Sequence, residues 1–146
     1  MKLDEISISI LKRLRDGRKS FNKIAEELSI AENTVRARVG KMEDEGVLEV
    51  SGLVDPTSID GHDIVMVGVK LLSMNLVGKG EEFSLLRGVT SVSVVTGRFD
   101  LILMVHLQEG FGLLEFYSEE VSSIQGVQSV ETFVVYKSFN LKVPYT

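Results

Sequence analysis

The sequence predicts an α+β protein in two parts, three helices followed by strands and helices in the order βαββαβ. Three observations carry that prediction. Apolar residues recur at three- and four-residue steps up to about residue 45, short runs rich in Val and Ile recur beyond about residue 60, and the turn signal Asp55-Pro56 lies between them. The expected division is a helical domain over residues 1–46, a linker strand and turn over residues 47–60, and a second domain over residues 61–146.

Leu3, Ile6, Ile10, Leu11 and Leu14 fall on one stripe of a helix expected over residues 4–15. Asp4 and Glu5 suit its positive dipole end, Lys12, Arg13 and Arg15 suit its negative end, and Gly17 can turn the chain. Ser20 is placed to cap a second helix whose inward positions are Phe21, Ile24, Ala25 and Leu28. A third helix is expected over residues 32–45, with Val35, Val39 and Met42 inward and Gly46 at its end. Ser29, Ile30 and Ala31 join the last two.

Two short helices joined by about three residues, the second with a polar outer face, form the arrangement that lays a recognition helix in the major groove of DNA. With Val35 at the centre of the buried face, Asn33, Arg36, Ala37, Gly40 and Lys41 point outward or sideways. Asn33 and Arg36 suit base edges and Lys41 suits a phosphate. Arg38 lies nearer the buried flank, where pairing with Glu26 or Glu27 competes with a DNA contact. The candidate DNA contacts are therefore Asn33, Thr34, Arg36, Ala37, Arg38 and Lys41. The plainer alternative is a helical bundle whose charges only solvate its surface.

Charge supports the DNA reading. The chain carries 16 basic and 21 acidic residues, a net charge of -5. The net negative charge lies in the second part, whereas residues 12–41 hold nine bases against four acids and could face a polyanion.

In the second part, strands are expected at residues 64–72, 91–96, 101–107 and 130–139, with helices at 80–86 and 111–123. That order is the ferredoxin-like split motif. Residues 97–100 form the hairpin between the middle strands. Two helices cover only one face of a four-stranded sheet, yet residues 101–105 are apolar throughout, and Val130, Val134 and Tyr136 alternate with Phe133, Val135 and Phe139. The second face therefore calls for a cover. A homodimer packing sheet on sheet supplies one; residues 47–60 or 141–145 folding over the face would supply another.

Composition narrows the chemistry further. With no Cys, a disulfide framework, thiolate zinc site and Cys nucleophile are excluded. His62 and His106 are the only imidazoles, expected as a loop residue and a sheet-edge side chain rather than as ligands. No catalytic constellation, metal site or cofactor motif is evident, so no enzyme is expected. No apolar run approaches a membrane span, and the N-terminus lacks the pattern of a secretion signal, which gives a cytoplasmic reading.

The segments Ile24-Ala25-Glu26-Glu27-Leu28, Thr34-Val35, Arg38-Val39 and Glu43-x-Glu45-Gly46-Val47-Leu48, followed by Val95-Thr96-Gly97-Arg98-Phe99-Asp100-Leu101, resemble the Lrp/AsnC (feast/famine) family of transcription regulators. The resemblance covers essentially the whole chain. It implies a DNA-binding helix-turn-helix domain, a linker strand, and an effector-binding domain that forms dimers and, in many members, tetramers or octamers of them. Amino acids or related small molecules are the implied effectors. Gly97, Arg98, Phe99 and Asp100 are the candidate effector site, with Arg98 suited to a carboxylate and Asp100 to an ammonium; a tight turn in which Gly97 supplies positive φ and Asp100 caps amides is the competing reading. This chain has Ser29 and Ala31 where the family usually has Gly and then Ser, Gly40 where it usually has a base, and Phe99 where Tyr is commoner. Two other functions share the architecture, a metabolite sensor without DNA binding and a siroheme-decarboxylase-like enzyme. The latter would carry a His/Arg-rich sheet segment, whereas residues 91–107 hold only Arg98 and His106.

Overall fold

A computed structural model describes residues 2–145, which divide into two compact units between Gly52 and Leu53. The first contains α1 (Glu5–Leu14), α2 (Phe21–Leu28) and α3 (Glu32–Asp44). Asp4 caps α1 by accepting the Ser7 N–H at 2.8 Å, and Ser20 caps α2 by accepting the Lys23 N–H at 3.2 Å. Ile10, Ile24, Ala25, Val35, Val39 and Met42 are buried together, and Leu3, Leu11, Leu14, Phe21 and Leu28 pack against them. One inward position differs from expectation. Ile6 is exposed and Ser7 is buried in its place, because the Ser7 hydroxyl accepts from Arg38 of α3.

The second unit contains β1 (Leu53–Val54), a 3-10 turn (Pro56–Ser58), β2 (Asp63–Leu71), α4 (Leu76–Ser84), β3 (Val89–Val94) and β4 (Leu101–Leu107). Then come α5 (Leu113–Glu115), prolonged by a π turn (Phe116–Glu120) and a 3-10 turn (Val121–Ser123), β5 (Val127–Val134) and β6 (Val143–Pro144). The sheet order is β3-β4-β2-β5, all neighbours antiparallel, as the ferredoxin-like reading requires.

Several boundaries differ from the sequence reading. The fourth helix starts at Leu76, one turn earlier than Gly80; Gly80 lies where the helix meets the sheet, within 3.9 Å of Val92, Val94 and Leu101 for an added Cβ. The strand expected at residues 91–96 spans Val89–Val94, and the last strand ends at Val134 instead of residue 139. Leu53–Val54 pairs with Val143–Pro144, closing a small second sheet that the sequence pattern does not reveal.

Side chains alternate between the faces of the large sheet. Val65, Val67, Val69 and Leu71 of β2 and Leu101, Leu103, Val105 and Leu107 of β4 pack against Phe83, Phe111, Phe116 and Val121. The opposite face carries Ile64, Met66 and Gly68 beside His106, Met104 and Ile102, with Phe133 and Glu131 on β5. It is apolar at its centre, and Met66 and Phe133 are exposed. Glu131 makes the β5 part of this face less apolar than its neighbours suggest.

Candidate functional site

The turn that presents α3 begins at Ser29, whose φ of 55° is left-handed, while Ser29 N–H and Ile30 N–H return to the carbonyls of Glu26 and Ala25. Val35, Val39 and Met42 anchor α3 on the core and turn its remaining residues outward. Asn33, Thr34, Ala37, Arg38 and Lys41 line one open concavity, and Asp4 from the start of α1 closes it. Lys2 adjoins Lys41 and Arg38 in a neighbouring hollow. Arg36 stands apart from that group: its guanidinium pairs with Glu32 at 2.6 Å and lies 5.3 Å from the Phe21 ring centroid. Gly40 has open space where a Cβ would be, so no close approach within the chain explains it.

Arg38 does not pair with Glu26 or Glu27. Arg13 and Lys19 each reach the Glu27 carboxylate at 3.0 Å, and Arg38 Nη1 donates to both oxygens of Asp4, at 2.7 and 2.6 Å. These bonds hold the Asp4 carboxyl well below the usual carboxylate range, the Arg38 bond contributing most and the Ser7 N–H next. Asp4 and Lys2 are the residues sequence reasoning missed. Asp4 reads as an acid at the positive end of the helix dipole, and nothing in its local sequence indicates a partner 34 residues away.

At the hairpin, Gly97 has φ 122° and β3 and β4 continue on either side. The hairpin joins an edge strand to an interior one. Phe99 folds back over Gly68 and meets Phe133 edge-on at 5.9 Å. Arg98 remains 77% exposed and pairs with Glu131 at 2.9 Å. The Asp100 carboxylate, 15% exposed, accepts the Leu71 N–H at 2.8 Å and the Lys70 ammonium at 2.9 Å. The Leu71 amide, then Lys70, hold its pKa below the ordinary aspartate value. Arg98 and Asp100 thus neutralise other residues and not each other.

A further hollow of about 200 Å³ lies at the far end of β2, between Asp55, Asp63, Ile64 and the stretch from Val135 to Leu141. Near that end His106 is buried in an interior strand rather than at a sheet edge, and its Nε2 lies 2.9 Å from His62 Nδ1. Among the described residues, no group of three or more His, Asp or Glu side chains is gathered to hold a metal ion, and no helix is long and apolar enough to cross a membrane.

Comparison with known proteins finds a family match for each part of the chain. The family model for the Lrp/AsnC ligand binding domain matches residues 64–142, and that for a winged helix-turn-helix DNA-binding domain matches residues 3–49. An uncharacterised HTH-type transcriptional regulator of Pyrococcus furiosus is 33% identical over 136 residues, covering 91% of each chain. The regulator LrpA1 of Halobacterium salinarum is 31% identical over 113 residues, 77% of this chain and 80% of that one. The crystal structure of MtbAldR superposes with a TM-score of 0.73 at 27% identity, over 97% of this chain and 100% of the other. A Neisseria meningitidis transcriptional regulator in complex with L-Met has a TM-score of 0.68 at 20% identity, over 99% and 97% of the two chains, a likeness of fold.

Proposed function

The chain belongs to the Lrp/AsnC family of transcriptional regulators, and from that premise we propose a division of labour among its residues. It is a DNA-binding regulator with a ligand-binding C-terminal domain. In the proposal, residues 1–46 bind DNA, residues 47–60 link, and residues 61–146 pair with a second copy and sense an amino acid in the cytoplasm. The observation that carries the DNA assignment is the shared concavity of Asn33, Thr34, Ala37, Arg38 and Lys41 on the outer face of α3. Arg36 joins them from the flank of the same helix, with Glu32 as the partner it must release.

The half-exposed face of Met66, Ile102, Met104 and Phe133 supports pairing with a second copy, since an apolar sheet face of this kind is stabilised by excluding water. An amino acid is the proposed effector, a choice supported by the Neisseria relative solved with L-Met. Its carboxylate would meet Arg98 and the backbone amides beside Gly97, and its ammonium would replace Lys70 at Asp100. Phe99 holds that hairpin on the sheet.

The test is selection of bound duplexes from a random pool, followed by titration of the selected operator with each of the common amino acids. A pseudo-palindromic operator whose affinity shifts with one of them supports the proposal. Failure to enrich any sequence would exclude specific DNA readout.

A further inference from the structure

Asp4 uses one carboxylate for two purposes. Its Oδ1 caps α1 through the Ser7 N–H, and both oxygens hold Arg38 Nη1. The Ser7 hydroxyl, on a residue only 3% exposed, accepts from the same nitrogen at 3.0 Å. Three acceptors from the first turn of α1 thus fix one corner of a guanidinium on α3. Arg38 Nη2 and Nε have no partner among the described residues, and the side chain keeps 30% exposure in the concavity it shares with Asn33 and Lys41.

A guanidinium is a rigid planar fork, so fixing Nη1 also fixes the direction of its remaining N–H edge. The Nε–Nη2 edge offers two parallel donors, a match for two adjacent acceptors such as O6 and N7 of guanine in the major groove. Phosphate attraction would not need this arrangement, because an arginine already paired with a carboxylate contributes little net charge to release counterions. The arrangement instead favours a directional contact.

We infer that Asp4 is a positioning residue for DNA recognition: it holds Arg38 so that the free Nε–Nη2 edge faces a paired-acceptor base edge. The inference rests on the assignment of the α3 concavity to DNA. It makes Arg38 a base reader through a residue of another helix, and it gives α1 a part in operator choice. Removing the carboxylate would free a mobile cation, tightening binding to any duplex while blurring the choice among them.

Asp4→Asn separates the two purposes, because Asn caps a helix as well as Asp does but carries no charge for Arg38. Affinity is measured for the operator selected by the unaltered protein and for a scrambled duplex, each over a range of salt. For Asp4→Asn the expected result is at least a tenfold fall in the operator-to-scrambled affinity ratio, with a salt slope steeper by about one ion. Arg38→Lys, which keeps the charge and loses the planar edge, should lower the ratio similarly. Asp4→Ala, which also loses the cap, should show the same fall plus a lower melting temperature. An unchanged ratio in Asp4→Asn, while Arg38→Ala lowers it, would overturn the inference and leave the DNA face standing. A ratio that falls only in Asp4→Ala, in step with stability, would make Asp4 a cap and nothing more. If Arg38→Ala, Asn33→Ala and Lys41→Ala all bind as the unaltered protein does, the DNA face itself is misassigned and the inference falls with it.

Discussion

Phe99 lies against Gly68 so closely that a Cβ at position 68 would stand 2.8 Å from three carbons of its ring. The contact fastens the hairpin to the centre of β2, and Phe133 closes the ring's other side edge-on. Here the absence of a side chain provides the seat for an aromatic one.

Gly68→Ala should therefore displace Phe99 and destabilise the C-terminal unit by about 1–3 kcal/mol, the usual range for overpacking a filled site. Thermal unfolding of the single and double variants checks this. In a Phe99→Ala background the same Gly68→Ala change should cost much less. Equal costs in both backgrounds would show that Phe99 is not what position 68 accommodates.

The His62–His106 pair predicts a pH effect with a definite sign. Burial first, and the charge of His62 second, push the His106 pKa below the ordinary histidine value, while its Nδ1 is buried without a partner. The tautomer with Nε2–H donating to His62 Nδ1 leaves no buried N–H unsatisfied. The unfolded chain takes up this proton more readily than the folded one. The stability gained by keeping His106 neutral is thus fully present above about pH 6.5 and declines as pH falls below that ordinary value. Melting temperatures from pH 8 to pH 5 should fall for the unaltered protein and fall less for His106→Leu. Parallel curves for the two would remove His106 as the cause.

On the DNA face, Arg36→Ala should cost about 1–3 kcal/mol of binding in a manner that depends on the base present. Lys41→Ala should weaken all duplexes alike and flatten the salt dependence by about one ion. Arg36 must first leave Glu32, so Glu32→Gln should raise affinity without changing the preferred base. Sequence-independent losses for both basic residues would reassign Arg36 to phosphate.

What the sequence made legible is what repeats locally. Val35, Val39 and Met42 recur at helical steps, Ser20 stands at a cap position, and β4 is apolar at nearly every position, with one face packed in the core and the other carrying the half-buried Ile102 and Met104. Pairings between distant residues follow no such period. Asp4 meets Arg38, His62 meets His106, and Leu53–Val54 meets Val143–Pro144 only after the chain has folded. The candidate site divides the same way. Its residues on α3 are readable from the turn of one helix, whereas the partners that engage Arg98 and Asp100, namely Glu131, Lys70 and the Leu71 amide, come from other strands.

The turn before α3 carries the last prediction. Ser29 adopts φ 55°, a conformation in which a Cβ crowds the neighbouring carbonyl and glycine does not, so Ser29→Gly should stabilise the N-terminal unit by about 1 kcal/mol. Two residues later Ala31 occupies the N-cap of α3 with extended backbone and no side-chain cap. A hydroxyl there could accept the N–H of Asn33, whereas the Thr34 N–H already donates to the Ala31 carbonyl at 3.0 Å, so Ala31→Ser should add about 1 kcal/mol. Both gains act at the first turn of the helix that bears Asn33 and Thr34. Urea unfolding of the two single variants and the double variant measures them, and the midpoint should rise at each step with an unchanged slope. A loss of stability in Ser29→Gly would mean that the Ser29 side chain makes a contribution larger than its backbone strain, and a neutral Ala31→Ser would mean that water already satisfies the first turn of α3.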